Sequence, residues 1–303
     1  MRIASTQYHA TMNTALQKAS ARVQDLLQKM ASGERYSLPS ESPVANVRLS
    51  RLTREEAALD QYIDNITTLQ SRLSKDESVI SGMTADILSA RDLMVWAADG
   101  SNTSEDVLAL AGSLQPIRDS LFYNANSRDA EGRYIFSGTA TGTATLAYDP
   151  LAAVGARYTA TGNTVEQLVV VGNGITQPAN STLGELVDVL NQLETVQTTL
   201  SVPGVSANDP AVRAQLTAGL NILDDGIAIT SSKISRLGGA QNILATLLSN
   251  HSNVSLSNKQ AALVIGQLDY GDAAVKLNGY TASIEATQKA YSQIAKLSLF
   301  NVL

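Results

Sequence analysis

From Leu52 onward, every seventh residue is apolar: Leu52, Leu59, Ile66, Leu73, Ile80, Ile87 and Met94. The companion positions are Tyr62, Leu69, Met83, Ala90 and Ala97, with Glu55 and Asp76 as polar breaks. A heptad seam sustained over this many turns predicts one long packed helix, from Ser42 to about Ala98. At 1.5 Å per residue it would run roughly 80–90 Å, so the pattern predicts a rod. Ser42 followed by Pro43 supplies its start, because serine caps free N–H groups and proline at the first helical position loses no hydrogen bond.

Weaker seams flank it. His9, Met12, Leu16, Ala19, Val23, Leu26 and Met30 share one face of a helix predicted over 5–31, which Gly33 ends. A second helix of the rod starts near Thr103, with Glu105 and Asp106 in its first turn, and carries Val107, Leu110, Leu114, Ile117 and Leu121. Its seam runs on through Asn124 and Arg128 and fades by Gly132, and Pro116 inside it predicts a kink. Asp209-Pro210 opens a returning helix with Leu216, Leu220, Leu223, Ile227, Ile234, Leu237, Leu244 and Leu248 on its seam. Thr230 and Gln241 are its polar members, read as register-fixing. Gly238-Gly239 reads as a soft point and His251 to Asn258 as a partial break. In the last stretch Tyr270, Leu277, Ile284 and Tyr291 recur every seven residues, with Ala273, Tyr280, Thr287 and Ile294 between them, and the chain ends in the nearly all-apolar run 294–303.

Between these helices the period shortens. Segments at 143–148, 157–160 and 165–171 read as strands, punctuated by Asp149-Pro150, Gly162-Asn163 and Gly172-Asn173-Gly174. One helix follows, predicted to start at Thr182 with Glu185 at capping-box spacing. The fold class is therefore mainly α: a long antiparallel coiled-coil-like helical rod with a small inserted α+β module. The division expected is terminal helical segments 1–41 and 262–303, rod 42–137 and 201–261, and module 138–200.

Composition narrows the functions. A net charge of −6 argues against a nucleic-acid or acidic-membrane partner recruited by charge. There is no cysteine, so neither disulfides nor thiolate chemistry is available. The first residues lack the apolar core of a secretory signal, and no apolar run reaches the ~20 residues of a membrane span. The two histidines, His9 and His251, lie far apart on helical stretches and read as packed residues rather than metal ligands. Asp224-Asp225 and Glu55-Glu56 point to different helix faces and read as solvated charges. Gly172-Asn173-Gly174 is a turn without the Lys-Ser/Thr of a phosphate loop. No enzyme, cofactor or metal is expected.

Several segments carry a family resemblance: Met1-Arg2-Ile3-Ala4-Ser5-Thr6-Gln7, Met30-Ala31-Ser32-Gly33-Glu34-Arg35 with Pro39-Ser40-Glu41-Ser42-Pro43, and Gly132-Arg133-Tyr134-Ile135-Phe136-Ser137-Gly138-Thr139. Arg236-Leu237-Gly238-Gly239-Ala240-Gln241-Asn242 and the ending Ser298-Leu299-Phe300-Asn301-Val302-Leu303 complete the set. In order and spacing they resemble bacterial flagellins, and more closely the flagellin-like hook-associated proteins of the hook–filament junction. The resemblance implies a structural axial protein of the flagellum, exported through the flagellar type III channel without a cleaved signal and assisted by an export chaperone. It implies a ring of identical subunits between the other junction protein and the flagellin filament. Alternatives are a short flagellin that forms the filament itself and a secreted adhesin-like binding protein. The assembly interface is expected at Ile3, Leu16, Val23, Leu26, Leu277, Tyr280, Ile284, Tyr291, Ile294, Leu297, Leu299 and Phe300, because apolar seams at both ends of the chain need surface from neighbouring copies.

Overall fold

The computed structural model describes residues 2–300, and side chains over 6–293. Six α-helices are described: α1 (Arg2–Ser32), α2 (Pro43–Ala97), α3 (Ser104–Ala125), α4 (Val187–Leu200), α5 (Pro210–Gly266) and α6 (Tyr270–Phe300). A short 3-10 helix, Pro39–Glu41, precedes α2, and another, Gly184–Leu186, leads into α4. Four short strands, β1 (Leu146–Tyr148), β2 (Tyr158–Ala160), β3 (Leu168–Gly172) and β4 (Ile175–Pro178), form two antiparallel hairpins, β1–β2 and β3–β4. The chain divides into two compact units, residues 1–58 with 253–303 and residues 59–252.

The long seam forms as its period dictates. In the second unit Ile66, Leu69, Leu73, Ile80, Met83, Ile87, Ala90, Met94 and Ala97 are all buried. They share one core with Val107, Leu114 and Leu121 of α3, Leu193 and Val196 of α4, and Leu216, Leu223 and Leu244 of α5. Two glycines let α5 approach closely. A Cβ on Gly219 would meet Met94 Sδ at 2.8 Å and Val196 Cγ2 at 2.9 Å; one on Gly226 would meet Val189 Cγ2 at 2.9 Å. They lie seven residues apart, so both fall on the line where α5 meets α2 and α4. This sets an antiparallel register with Gly219 level with Met94 and Gly226 level with Ile87.

The caps follow the sequence at three of four places. Thr103 closes a capping box, its Oγ1 accepting from Asp106 N (3.2 Å) while Asp106 Oδ2 accepts from Thr103 N (3.0 Å). Asp209 Oδ1 accepts from Ala211 N at 2.8 Å, and Ser42 Oγ from Ala45 N at 3.4 Å. Thr182 does not cap. The chain enters a 3-10 turn at Gly184, and the exposed Glu185 reaches sideways to Lys233 Nζ at 2.9 Å. The spacing was present, but an ion pair with α5 took the carboxylate.

Other expectations change too. β4 lies beyond the strand segments read from the sequence, since its exposed Ile175 and Thr176 show no clean alternation. α3 ends at Ala125, so Arg128 leaves the seam and lies over the Tyr134 ring, 4.3 Å from its centroid. α5 is a single helix through Gly238-Gly239 and through His251 to Asn258, the polar run simply facing outward in part. Thr230 is buried, but its hydroxyl donates to Gly226 O (3.0 Å) and Ile227 O (3.1 Å) of its own helix. It therefore does not fix register, whereas Gln241 Nε2 does cross to Glu77 Oε2 at 2.7 Å.

Asparagine side chains join the inserted module to its supports. Asn126 donates to Leu146 O and accepts from Leu146 N, both at 3.0 Å. Asn191 on α4 does the same for Tyr158 (2.9 Å each way). Beneath β2 the buried Glu194 pairs with Arg157 at 3.2 Å.

Candidate functional site

The first unit brings the two ends of the chain together. α1 and α6 lie antiparallel. At one end Tyr270 donates its hydroxyl to Met30 O at 3.1 Å. At the other, His9 Nδ1 and Tyr291 OH are hydrogen-bonded at 3.0 Å, with the rings edge to face at 5.3 Å. Both pairs fit one register, which sets Leu16 level with Ile284 and Val23 level with Leu277. Leu26 is buried, and it lines one cleft together with Tyr280. Leu16, Val23, Leu277, Tyr280, Ile284 and Tyr291 are half-buried. The structure thus gathers seven of the interface residues named from sequence on one seam. The side chains of Ile3, Ile294, Leu297, Leu299 and Phe300 lie outside the described residues.

The connections on either side of this pair are stapled by backbone bonds. Arg35 N donates to Gly266 O (2.7 Å), and Leu268 N to Gly33 O (2.9 Å). Lys29 Nζ, on α1, sits 2.9 Å from Glu41 Oε2 before α2. Farther along, Lys259 of α5 and then Ser255 hold the Glu56 carboxyl of α2 below the usual carboxylate range.

What the unit lacks is an interior. Among its described residues only Leu26, Ala45, Ser255 and Ala273 are buried. Large apolar side chains stay in solvent instead: Val264 is 80% exposed, Val275 72% and Val44 and Val47 67% each, with Leu27, Leu38 and Leu263 also exposed. An open cleft of ≈ 950 Å³ beside the 33–39 connection is lined in part by Tyr36, Leu38, Leu49 and Leu263. Sequence reasoning missed this second set, because it followed the heptad seams and these residues lie off them. Their signal was the apolar doublets Leu26-Leu27 and Leu263-Val264, which widen a helix's apolar stripe beyond one partner's reach. Exposed apolar surface on this scale marks a binding face.

Neither histidine has the surroundings of a reactive group. His9 is held by Tyr291, and His251 contacts Val171 O at 2.8 Å through Nε2 with its ring beside Tyr62. Among the described residues no group of three or more His, Cys, Asp or Glu could hold a metal ion, and no helix is long and apolar enough to cross a membrane. The arrangement is suited to helix–helix association.

Comparison with known proteins agrees with this geometry. The bacterial flagellin N-terminal helical region matches residues 3–141. The chain is 26% identical to flagellar hook-associated protein 3 of Salmonella typhimurium, over 100% of this chain and 99% of that one. A flagellar hook-associated protein of Vibrio parahaemolyticus superposes with a TM-score of 0.67 at 31% identity, covering 74% of this chain and 99% of the other. The flagellar junction protein FlgL of Legionella pneumophila shares the fold at a TM-score of 0.54 and 14% identity, over 65% and 99% of the two chains.

Proposed function

We propose a role that proceeds from one premise: this chain belongs to the flagellin family, among its flagellar hook-associated proteins. It is a structural component of the bacterial flagellum that joins the hook-associated region to the flagellin filament. In the mechanism we infer, copies of this chain form a ring between the other hook-associated junction protein and flagellin. The segments 1–41 and 262–303 form the inner tube, 42–137 and 201–261 the helical rod, and 138–200 an outer module. The chain reaches its place by flagellar type III export with the help of a chaperone.

The observation that carries this reading is the state of the first unit. Two helices from opposite ends of the chain pair lengthwise, yet the unit seals few residues from water and leaves Val264 of α5 and Val275 of α6 exposed. A second helix layer from neighbouring copies would remove that surface at about 25 cal/mol per Å² of apolar area. Repeated contacts of one patch with a different patch on the next copy build rings and tubes.

The test is the position of a tagged, functional copy on flagellated cells. A single band at the hook–filament boundary is expected. Label spread along the filament would overturn the junction role in favour of a short flagellin. Removing Leu297 to Leu303 is expected to leave a soluble chain that no longer joins the flagellum, and normal filament attachment by this truncated chain would contradict the role given to the termini.

A further inference from the structure

The long seam contains one residue that its packing does not explain. Asp76 occupies a position one turn after Leu73 and one turn before Ile80, and it is 1% exposed. Neither carboxyl oxygen has a hydrogen-bond partner. Every other buried residue of α2 in the second unit is apolar. The register that sets Gly226 level with Ile87 sets Asp76 level with Leu237, which is itself buried. An ionised carboxylate in this place would lack both water and partners, which is among the costliest arrangements a protein interior can hold.

The charged groups around it do not supply a partner. On α2, Arg72 and Lys75 act on it electrostatically, but Arg72 gives a guanidinium N–H to Gln167 Oε1 at 3.2 Å. Glu77, next in the chain, accepts from Gln241. On α5 the charges along this stretch are Lys233 and Arg236, paired with Glu185 and Glu166. In the segment after α3, Arg128 lies over Tyr134, and Asp129 is paired with Arg133.

We propose that Asp76 is a proton-operated release in the α2–α5 seam: neutral, it stays buried and the bundle is closed; ionised, it forces the seam open around residues 69–83. Desolvation by burial, opposed in part by Arg72 and Lys75, raises its pKa to about 7, so the change falls in the physiological range. The sign follows from proton binding. Between the ordinary aspartate value of about 4 and the raised value, the folded chain keeps a proton that the unfolded chain has lost. The stabilisation is therefore whole below about pH 4, declines as pH rises toward 7, and is gone above it.

The test is thermal unfolding of the full chain and of Asp76→Asn between pH 4 and pH 8, followed by helical circular dichroism. The parent and the variant are expected to melt close together at pH 4, and the parent several degrees below the variant at pH 8. Parallel melting profiles across this range would overturn the proposal. Asp76→Leu, which removes the polar group altogether, is expected to behave like Asp76→Asn. Should neither variant fold, carbon NMR of the Asp76 carboxyl in the parent chain decides. A titration midpoint near neutrality supports the release, and one near the ordinary value of about 4 refutes it.

Discussion

Asn126 and Asn191 each bond the N–H and the C=O of one residue in the module's first hairpin, as a neighbouring strand would. A two-stranded hairpin is marginal alone, so these pairings do the work of a third and fourth strand. Asn191→Ala would leave the backbone N–H and C=O of the buried Tyr158 without partners. A loss of about 1–3 kcal/mol is expected, read from chemical denaturation. Arg157→Ala strands the buried Glu194 without its countercharge and is expected to cost about 3 kcal/mol. For a unit of this size that lowers the melting temperature by roughly 6–12 °C. None of these partnerships was legible in the sequence. An asparagine near a turn reads as a turn residue, and its second hydrogen bond is set by a backbone far away in the chain.

Glycine separates what a helix needs internally from what its neighbours need. Gly219 and Gly226 sit where a Cβ would collide with α2 and α4, whereas a Cβ on Gly238 or Gly239 would meet nothing within 4 Å. The two pairs therefore respond in opposite directions. Gly226→Val is expected to destabilise the second unit by about 1–3 kcal/mol through overpacking. Gly238→Ala and Gly239→Ala are each expected to stabilise it by about 0.5–1 kcal/mol through helix propensity. Differential scanning calorimetry of the three variants checks both signs. The sequence marked Gly238-Gly239 as the soft point and passed over Gly219 and Gly226. Glycine's helix cost is visible residue by residue, but its steric purpose is visible only when the facing helix is in place. The capping-box spacing at Thr182 failed for a related reason, since Lys233 on another helix offered Glu185 a charge partner.

At the scale of the molecule the two units differ in how they are held together. The second unit buries a continuous seam across four helices, while the first has α1 and α6 paired over a handful of buried residues. Opening free energy follows local burial. Amide hydrogen exchange of the isolated chain is therefore expected to be fast through α1 and α6 and slowest in α2 from Ile66 to Ala97. Equal protection in both would contradict the view that the first unit is completed by neighbouring copies. The seam that pairs α1 with α6 was legible because His9 to Met30 and Tyr270 to Tyr291 each keep a heptad period. The exposed set around Val44, Val264 and Val275 was not, because a single helix does not reveal how many partners it has.

The sequence by itself determined the long helical stretches, three of their four best caps and the seam of each terminal helix. These depend on residues a few positions apart, where period and capping chemistry act directly. It also marked Glu55 and Asp76 as equal breaks in one seam. The tertiary structure made them unequal: Glu55 is exposed, whereas Asp76 lies level with Leu237 and is sealed from water. Which polar residue becomes a solvated charge and which a buried acid depends on the helix that lies opposite, and a heptad pattern carries no record of that partner.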